Sequence, residues 1–146
     1  VSGELTARAT VRATEVRAFG EELQAHLNAA GASKTPVLCH EMLAPFVEWA
    51  GFSVAGTFGR SENLSVGDVD AAVQLGKARA VALVIDNLQG GDEKMGAALA
   101  TELGAHRVVV SNFPGGLPDT DTWDRAITRN VELLIEALQQ LEAPAA

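Results

Sequence analysis

Basic residues are scarce in this chain. Lys and Arg number 11 against 19 Asp and Glu, a formal net charge of −8 over 146 residues. Neutralising a phosphate backbone takes clustered Lys and Arg, so a general nucleic-acid binder is excluded and no nucleic-acid partner is expected. The same shortage disfavours docking on anionic lipid through a basic patch. Cysteine occurs once, at Cys39, which excludes an intrachain disulfide and a paired-cysteine zinc site and leaves the redox compartment unread. Tyr is absent, and the two tryptophans, Trp49 and Trp123, are too sparse for a base-stacking platform. No run approaches the roughly 20 apolar residues of a membrane-crossing helix. The chain opens at Val1 without the Met, basic region and apolar region of a signal, which leaves open the removal of a leader or of a whole upstream segment.

Several chemical signatures are missing too. There is no phosphate-cradling loop ending in Lys-Ser or Lys-Thr, no Gly-x-Gly-x-x-Gly after the first strand pattern, and no Gly-x-Ser-x-Gly elbow. What remains is 47% hydrophobic and 21% charged, the composition of one globular domain.

Hydrophobic periodicity divides the chain in two. Glu4 to Ala30 reads as one long helix, with Val16, Phe19, Leu23 and Leu27 at spacings of three and four, Ser2 as its N-cap, Gly20 weakening its middle and Gly31 stopping it. At 1.5 Å per residue it would be roughly 40 Å long, enough to run beyond the body that follows. After Pro36, short apolar runs alternate with helical stretches. Strands are expected at Val37–Cys39, Phe52–Phe58, Ala80–Ile85 and Arg107–Ser111. Helices are expected at Met42–Ala50, Asp68–Lys77, Asp92–Leu103 and Thr122–Leu141, with a tail from Glu142. The organisation is thus a connecting helix over residues 1–31 and an α/β lobe over 32–146. Strand-helix alternation implies crossover units, hence an α/β fold with a four-stranded, mainly parallel sheet flanked by helices on both faces.

Open parallel sheets bind ligands beyond the carboxyl ends of their strands. Those ends carry His40 and Glu41 after Cys39, then Thr57, then Asp86 and Asn87, then Ser111 and Asn112. An imidazole, a carboxylate and neutral oxygens converging on one edge could ligate a metal or perform acid–base work. Each also has a structural role open to it. His40 can cap the following helix, Asp86 and Asn112 can satisfy loop N–H groups, and Cys39 can be a small buried strand residue. His26 and His106 read as solvated or structural.

The residues also resemble a known family. Val37-Leu38-Cys39-His40-Glu41 followed by Phe46 and Trp49, then Trp49-Ala50-Gly51-Phe52-Ser53-Val54, is similar to the first strand, aromatic helix and second strand in the C-terminal lobe of zinc and manganese ABC-transporter solute-binding proteins. The apolar strand Val81 to Asp86, the Asn87-Leu88-Gln89 loop, the helix end at Ala100 to Gly104, and Trp123 and Asn130 on the closing helix continue the likeness over nearly the whole chain. The resemblance implies a helix bridging two lobes and a zinc or manganese ion held between them. It implies as partners an N-terminal lobe, from the same or another chain, and a membrane permease. It also implies a periplasmic or extracellular location, held at the membrane through the transporter. His40 matches the family's C-lobe His ligand. Thr57 and Asn112 fall where the family carries ionisable ligands, and Asp86 matches an acidic residue that is not regularly one. The family's N-terminal lobe has no counterpart in this sequence.

Three functions compete. The first is a binding module, the C-terminal lobe of a metal solute-binding protein without catalysis. The second is an α/β ligand-binding or regulatory module that kept the scaffold and lost the metal. The third, an enzyme using His40 and Asp86 as acid and base, lacks a nucleophile, a cofactor motif and an oxyanion donor.

Overall fold

The computed structural model describes residues 1–91 and 93–143, so the expected helix start at Asp92 and the tail residues 144–146 lie outside the described residues. The chain begins with helix α1, Ser2–Ala29. Its N-cap is Val1, without a side-chain cap bond, and Ser2, expected as the cap, is instead the first helical residue. Gly31, at φ +95°, reverses the chain after α1 in a conformation that a side chain would resist.

Four strands follow: β1 (Pro36–His40), β2 (Ser53–Phe58), β3 (Leu83–Asn87) and β4 (His106–Val110). They form one sheet in the order β2-β1-β3-β4, and every neighbouring pair is parallel. Each crossover carries a helix: α2 (Ala44–Trp49), α3 (Val66–Ala78) and α4 (Glu93–Leu103), with α5 (Trp123–Glu142) closing the chain. β2 carries one extra residue, Ala55, between partners Val54 and Gly56 of successive β1 residues, a bulge on the edge strand.

Most element boundaries lie one or two residues from those expected, and the larger differences have local causes. The expected strand Ala80–Ile85 instead starts at Leu83 and runs to Asn87. Ala80 takes φ +51° in the reversal after α3, and Ala82 donates its N–H to Pro36 before the ladder begins. The expected helix Met42–Ala50 opens as a short 3₁₀ turn over Glu41–Leu43 before α2, since Pro45 fits only a first turn. α5 reaches Glu142 and not Leu141.

Alternation along the buried strands sends side chains to two cores. Val37, Cys39, Leu83 and Ile85 face α1, α2 and α5, where Leu23, Leu27, Val47, Leu134 and Leu138 close over them. Leu38 and Val84 face α3 and α4, where Val73 and Leu99 meet them. α3 is fixed at its start by a reciprocal cap: the Ser65 hydroxyl accepts the Asp68 N–H at 3.2 Å, and the Asp68 carboxylate accepts the Ser65 N–H at 2.8 Å.

Only the second half of α1 joins this body. Leu23 and Leu27 are buried, Gln24 donates to the Trp49 carbonyl at 2.7 Å, and Gly20 lies against the Trp49 ring. Phe19 meets Trp123, the first residue of α5, with ring centroids 5.9 Å apart. Residues 1–15 are all exposed, Leu5 and Val11 among them. Because α1 feeds the amino end of β1 and passes Trp123 at the opposite edge, its amino-terminal half continues past the rim where the strands end.

Candidate functional site: the carboxyl rim of the sheet

All four strands run the same way, so their carboxyl ends share one rim, and His40, Thr57, Asp86 and Asn112 fall on it. Their side chains are in very different states.

His40 is the last residue of β1 and is 3% exposed. It faces the α3–α4 side, where its ring meets Phe58 edge-on with centroids 5.7 Å apart. Its Nδ1 accepts the N–H of Met42 at 3.3 Å, the helix-capping role open to it from the sequence. Nε2 is buried without a hydrogen-bond partner. The loop after β3 lies against it: a Cβ placed on Gly90 would stand 2.9 Å from Nε2 and 3.1 Å from Cδ2.

Asp86, one strand over, is buried but occupied. Oδ2 accepts from Arg107 Nη2 at 2.7 Å and Nε at 3.0 Å, and Oδ1 accepts the Asn87 N–H at 2.9 Å. Arg107 was not singled out from the sequence. Its signal was a charged residue inside the apolar run His106–Val110, which in a strand facing a helix layer demands a buried counter-charge.

The rim's other side is a neutral hydrogen-bonded net. The Gln89 side chain donates to Ser111 Oγ at 2.8 Å and accepts the Asn112 N–H at 2.9 Å. Asn130 of α5 accepts the Ser111 N–H at 3.0 Å and donates to its carbonyl at 2.8 Å. The loop after β3, the loop after β4 and α5 are thereby tied together. A cavity of about 140 Å³ opens beside this net, lined by Leu43, Phe46, Asn112, Pro114 and Trp123 among others. Thr57 is exposed on the edge strand. Cys39 is fully buried, and desolvation first, then the Glu48 carboxylate, pushes its thiol up to about 12, so it is neither a thiolate ligand nor a nucleophile at neutral pH. Among the described residues, no three His, Cys, Asp or Glu side chains are grouped so as to hold a metal ion.

No family model matches the sequence, and no curated protein matches it. Solved structures do. The nickel complex of the solute-binding protein FpvC from Pseudomonas aeruginosa superposes with a TM-score of 0.71 at 18% identity, over 97% of this chain and 53% of that one. This chain therefore shares the fold of about half of that protein. Lmb of Streptococcus agalactiae, described as a laminin-binding protein with adhesin and metal-transporting activity, matches at 0.68 and 16% identity, over 91% of this chain and 52% of that one. The manganese-bound periplasmic metal-binding protein of Candidatus Liberibacter asiaticus matches at 0.69 and 15%, over 92% of this chain and 51% of that one. The chain spans about half the length of the structures it matches, and those neighbours are binding and transport proteins. Among the described residues, no helix is long and apolar enough to cross a membrane.

Proposed function

We propose that the chain is the C-terminal lobe of a metal-ion solute-binding protein of the zinc or manganese type, serving an ABC importer and performing no catalysis. Residues 1–31 are then the connecting helix and 32–146 the α/β lobe. The N-terminal lobe, in the same or another chain, and the membrane permease are its partners, in a periplasmic or extracellular setting at the membrane.

The observation that carries this reading is the orphaned His40 Nε2 at the carboxyl rim. A buried polar atom without a partner is costly, and it stays in a fold when a function uses it. Imidazole suits zinc and its neighbours in the transition series. The protruding half of α1 supports the same reading, since an exposed stretch of helix rising past the site rim suits a bridge to a second lobe. The lobe's donor set is short. Asp86 is held by Arg107, and Thr57 and Asn112 offer only neutral oxygens. A divalent transition metal needs about four ligands. His40 is therefore this lobe's principal donor, with Asn112 and Thr57 at the margin and the remaining ligands supplied across the interlobe cleft.

Calorimetric titration of the chain with zinc and with manganese tests the proposal. Weak binding that His40→Ala removes is expected. Tight stoichiometric binding by the chain alone would mean that Asp86, Glu41 or Cys39 supplies the missing donors. No heat with either metal, even with the other lobe present, would move the chain to the class that kept the scaffold and lost the metal.

A further inference from the structure

The cavity beside the rim net holds about 140 Å³, and none of the residues lining it is charged. Leu43 and Ala126 are buried and form its floor, whereas Trp123, 45% exposed, and the half-buried Asn112 form its mouth at the rim. We propose that this cavity binds a neutral aromatic solute of one ring with a single hydrogen-bonding substituent, the ring inside and the substituent at the mouth. His40 does not line the cavity, so binding there is independent of His40.

Size sets the class first. An apolar cavity of about 150 Å³ lined by Leu, Ile and Phe takes up benzene, and this one is nearly as large, with room for one ring. Its walls are of the same kind: Leu43, Phe46, Trp123 and Ile127. They are braced from outside. Phe46 stacks on Trp49 with centroids 5.7 Å apart, Trp123 meets Phe19 at 5.9 Å, and neither Trp49 nor Phe19 lines the cavity. Walls held in this way need not rearrange to receive a ring, which lowers the cost of binding.

Polarity sets the rest. With no Lys, Arg, Asp or Glu in the lining, a charged ligand would give up its water without compensation, so the occupant is neutral. Ser111 and Asn130 also line the cavity, but their polar groups are spent. Asn130 bonds both backbone groups of Ser111, and the Ser111 hydroxyl bonds Gln89 and the Phe113 carbonyl. Asn112 differs. Its backbone N–H is pinned by Gln89 at 2.9 Å, while its carboxamide makes no hydrogen bond to a described residue. A free carboxamide on a fixed backbone can donate to and accept from one substituent at the mouth. Open parallel sheets take their ligands at this rim. A tyrosine from a partner protein would enter hydroxyl first and drive that group to the apolar Leu43 and Ala126 floor, so the geometry favours a free solute over a side chain.

The test is a titration of the full chain with phenol, followed by ¹H–¹³C and ¹H–¹⁵N spectra. Saturable shifts are expected at the Leu43 and Ala126 methyls, the Trp123 indole and the Asn112 carboxamide. Benzene, which lacks the substituent, and benzoate, which carries a charge, should each bind more weakly than phenol by about tenfold or more, the factor that one good hydrogen bond or one uncompensated charge supplies. Asn112→Ala should weaken phenol by about tenfold and leave benzene unchanged. That variant keeps the backbone bond to Gln89, so the fold is not at risk. Ala126→Leu, which fills the floor, should abolish the binding of both; should it not fold, Asn112→Ala decides alone. Shifts that stay linear, or that saturate elsewhere, as in the groove between α1 and Trp49, overturn the proposal. So does benzoate bound as tightly as phenol, or an Asn112→Ala variant that binds phenol as the native chain does. N-acetyltyrosinamide bound as tightly as phenol would assign the cavity to a partner's side chain and overturn the solute.

Discussion

Arg107 reaches from β4 to Asp86 on β3 and places Nη2 at 2.7 Å and Nε at 3.0 Å from one carboxylate oxygen. Val84 pairs with Arg107 and Asp86 with Val109, so the guanidinium leans one step along the sheet to meet the carboxylate on the α3–α4 face. The carboxylate is buried and the guanidinium a quarter exposed.

Removing Arg107 would leave a buried carboxylate uncompensated. Arg107→Met should cost about 3 kcal/mol, the lower end for breaking a buried pair because one partner still touches water. Asp86→Asn should also destabilise. The double variant should cost less than the sum of the two in urea unfolding, since the interaction can be lost only once. Strict additivity would show that the two residues do not support each other. Zinc titration of Asp86→Asn should match the native chain, separating Asp86 from His40.

Two helix glycines should answer Ala in opposite senses. At Gly20 the new methyl would stand 3.4 Å from the Trp49 ring, an ordinary contact, so Gly20→Ala should stabilise by about 0.5–1 kcal/mol through helix propensity. At Gly96 the methyl would fall on the Asp86 carboxylate, which Arg107 prevents from moving aside. Gly96→Ala should therefore destabilise by about 1–3 kcal/mol despite the same propensity gain. Thermal unfolding of the two variants reads the difference in sign.

Asn130 serves both backbone groups of Ser111, and all four atoms are in a buried setting. Asn130→Ala would strand an N–H and a C=O at the end of β4, a loss of about 2–3 kcal/mol. Hydrogen exchange at the Ser111 amide should accelerate in the variant beyond the change in global stability. An unchanged rate relative to global stability would mean that water takes over the asparagine's role.

The Cys39 thiol gives stability a slope at alkaline pH. Its native value is pushed up to about 12, from an ordinary value of 9.0 that applies to the unfolded chain. Between those values the unfolded state gives up a proton that the native state keeps, so stability present at neutral pH is lost as pH rises. The slope is at most about 1.4 kcal/mol per pH unit. Cys39→Ala should flatten that part of the profile relative to the native chain while lowering stability by a constant amount for the cavity it leaves. Parallel profiles for the two proteins would refute the assignment.

Much of the molecule is written in local pattern. The run Val16, Phe19, Leu23 and Leu27 specifies a helix, and Gly31 ends it because only glycine takes that φ easily. Short apolar runs separated by helix periods specify crossovers, and crossovers force a parallel sheet. Parallel strands then carry His40, Thr57, Asp86 and Asn112 to one rim without any knowledge of coordinates. Boundaries were less legible. Ala80 and Val81 look like strand residues by hydrophobicity, yet they lie in the reversal after α3, where the chain is fixed by Val81 N–H on the Gly76 carbonyl.

What each rim residue does was decided only in three dimensions. Asp86 and Arg107 are 21 positions apart, and nothing local pairs them; the β3–β4 register does. Gln89 and Ser111 meet because they follow these two neighbouring strands, and Asn130 reaches Ser111 through the packing of α5 against β4. The state of His40 depends on a backbone N–H two residues on and on a glycine from another crossover fifty positions away. Periodicity is a property of neighbours along the chain, so it places residues on faces and edges. Burial, protonation and partner depend on atoms brought together by packing, and those the tertiary structure alone determined.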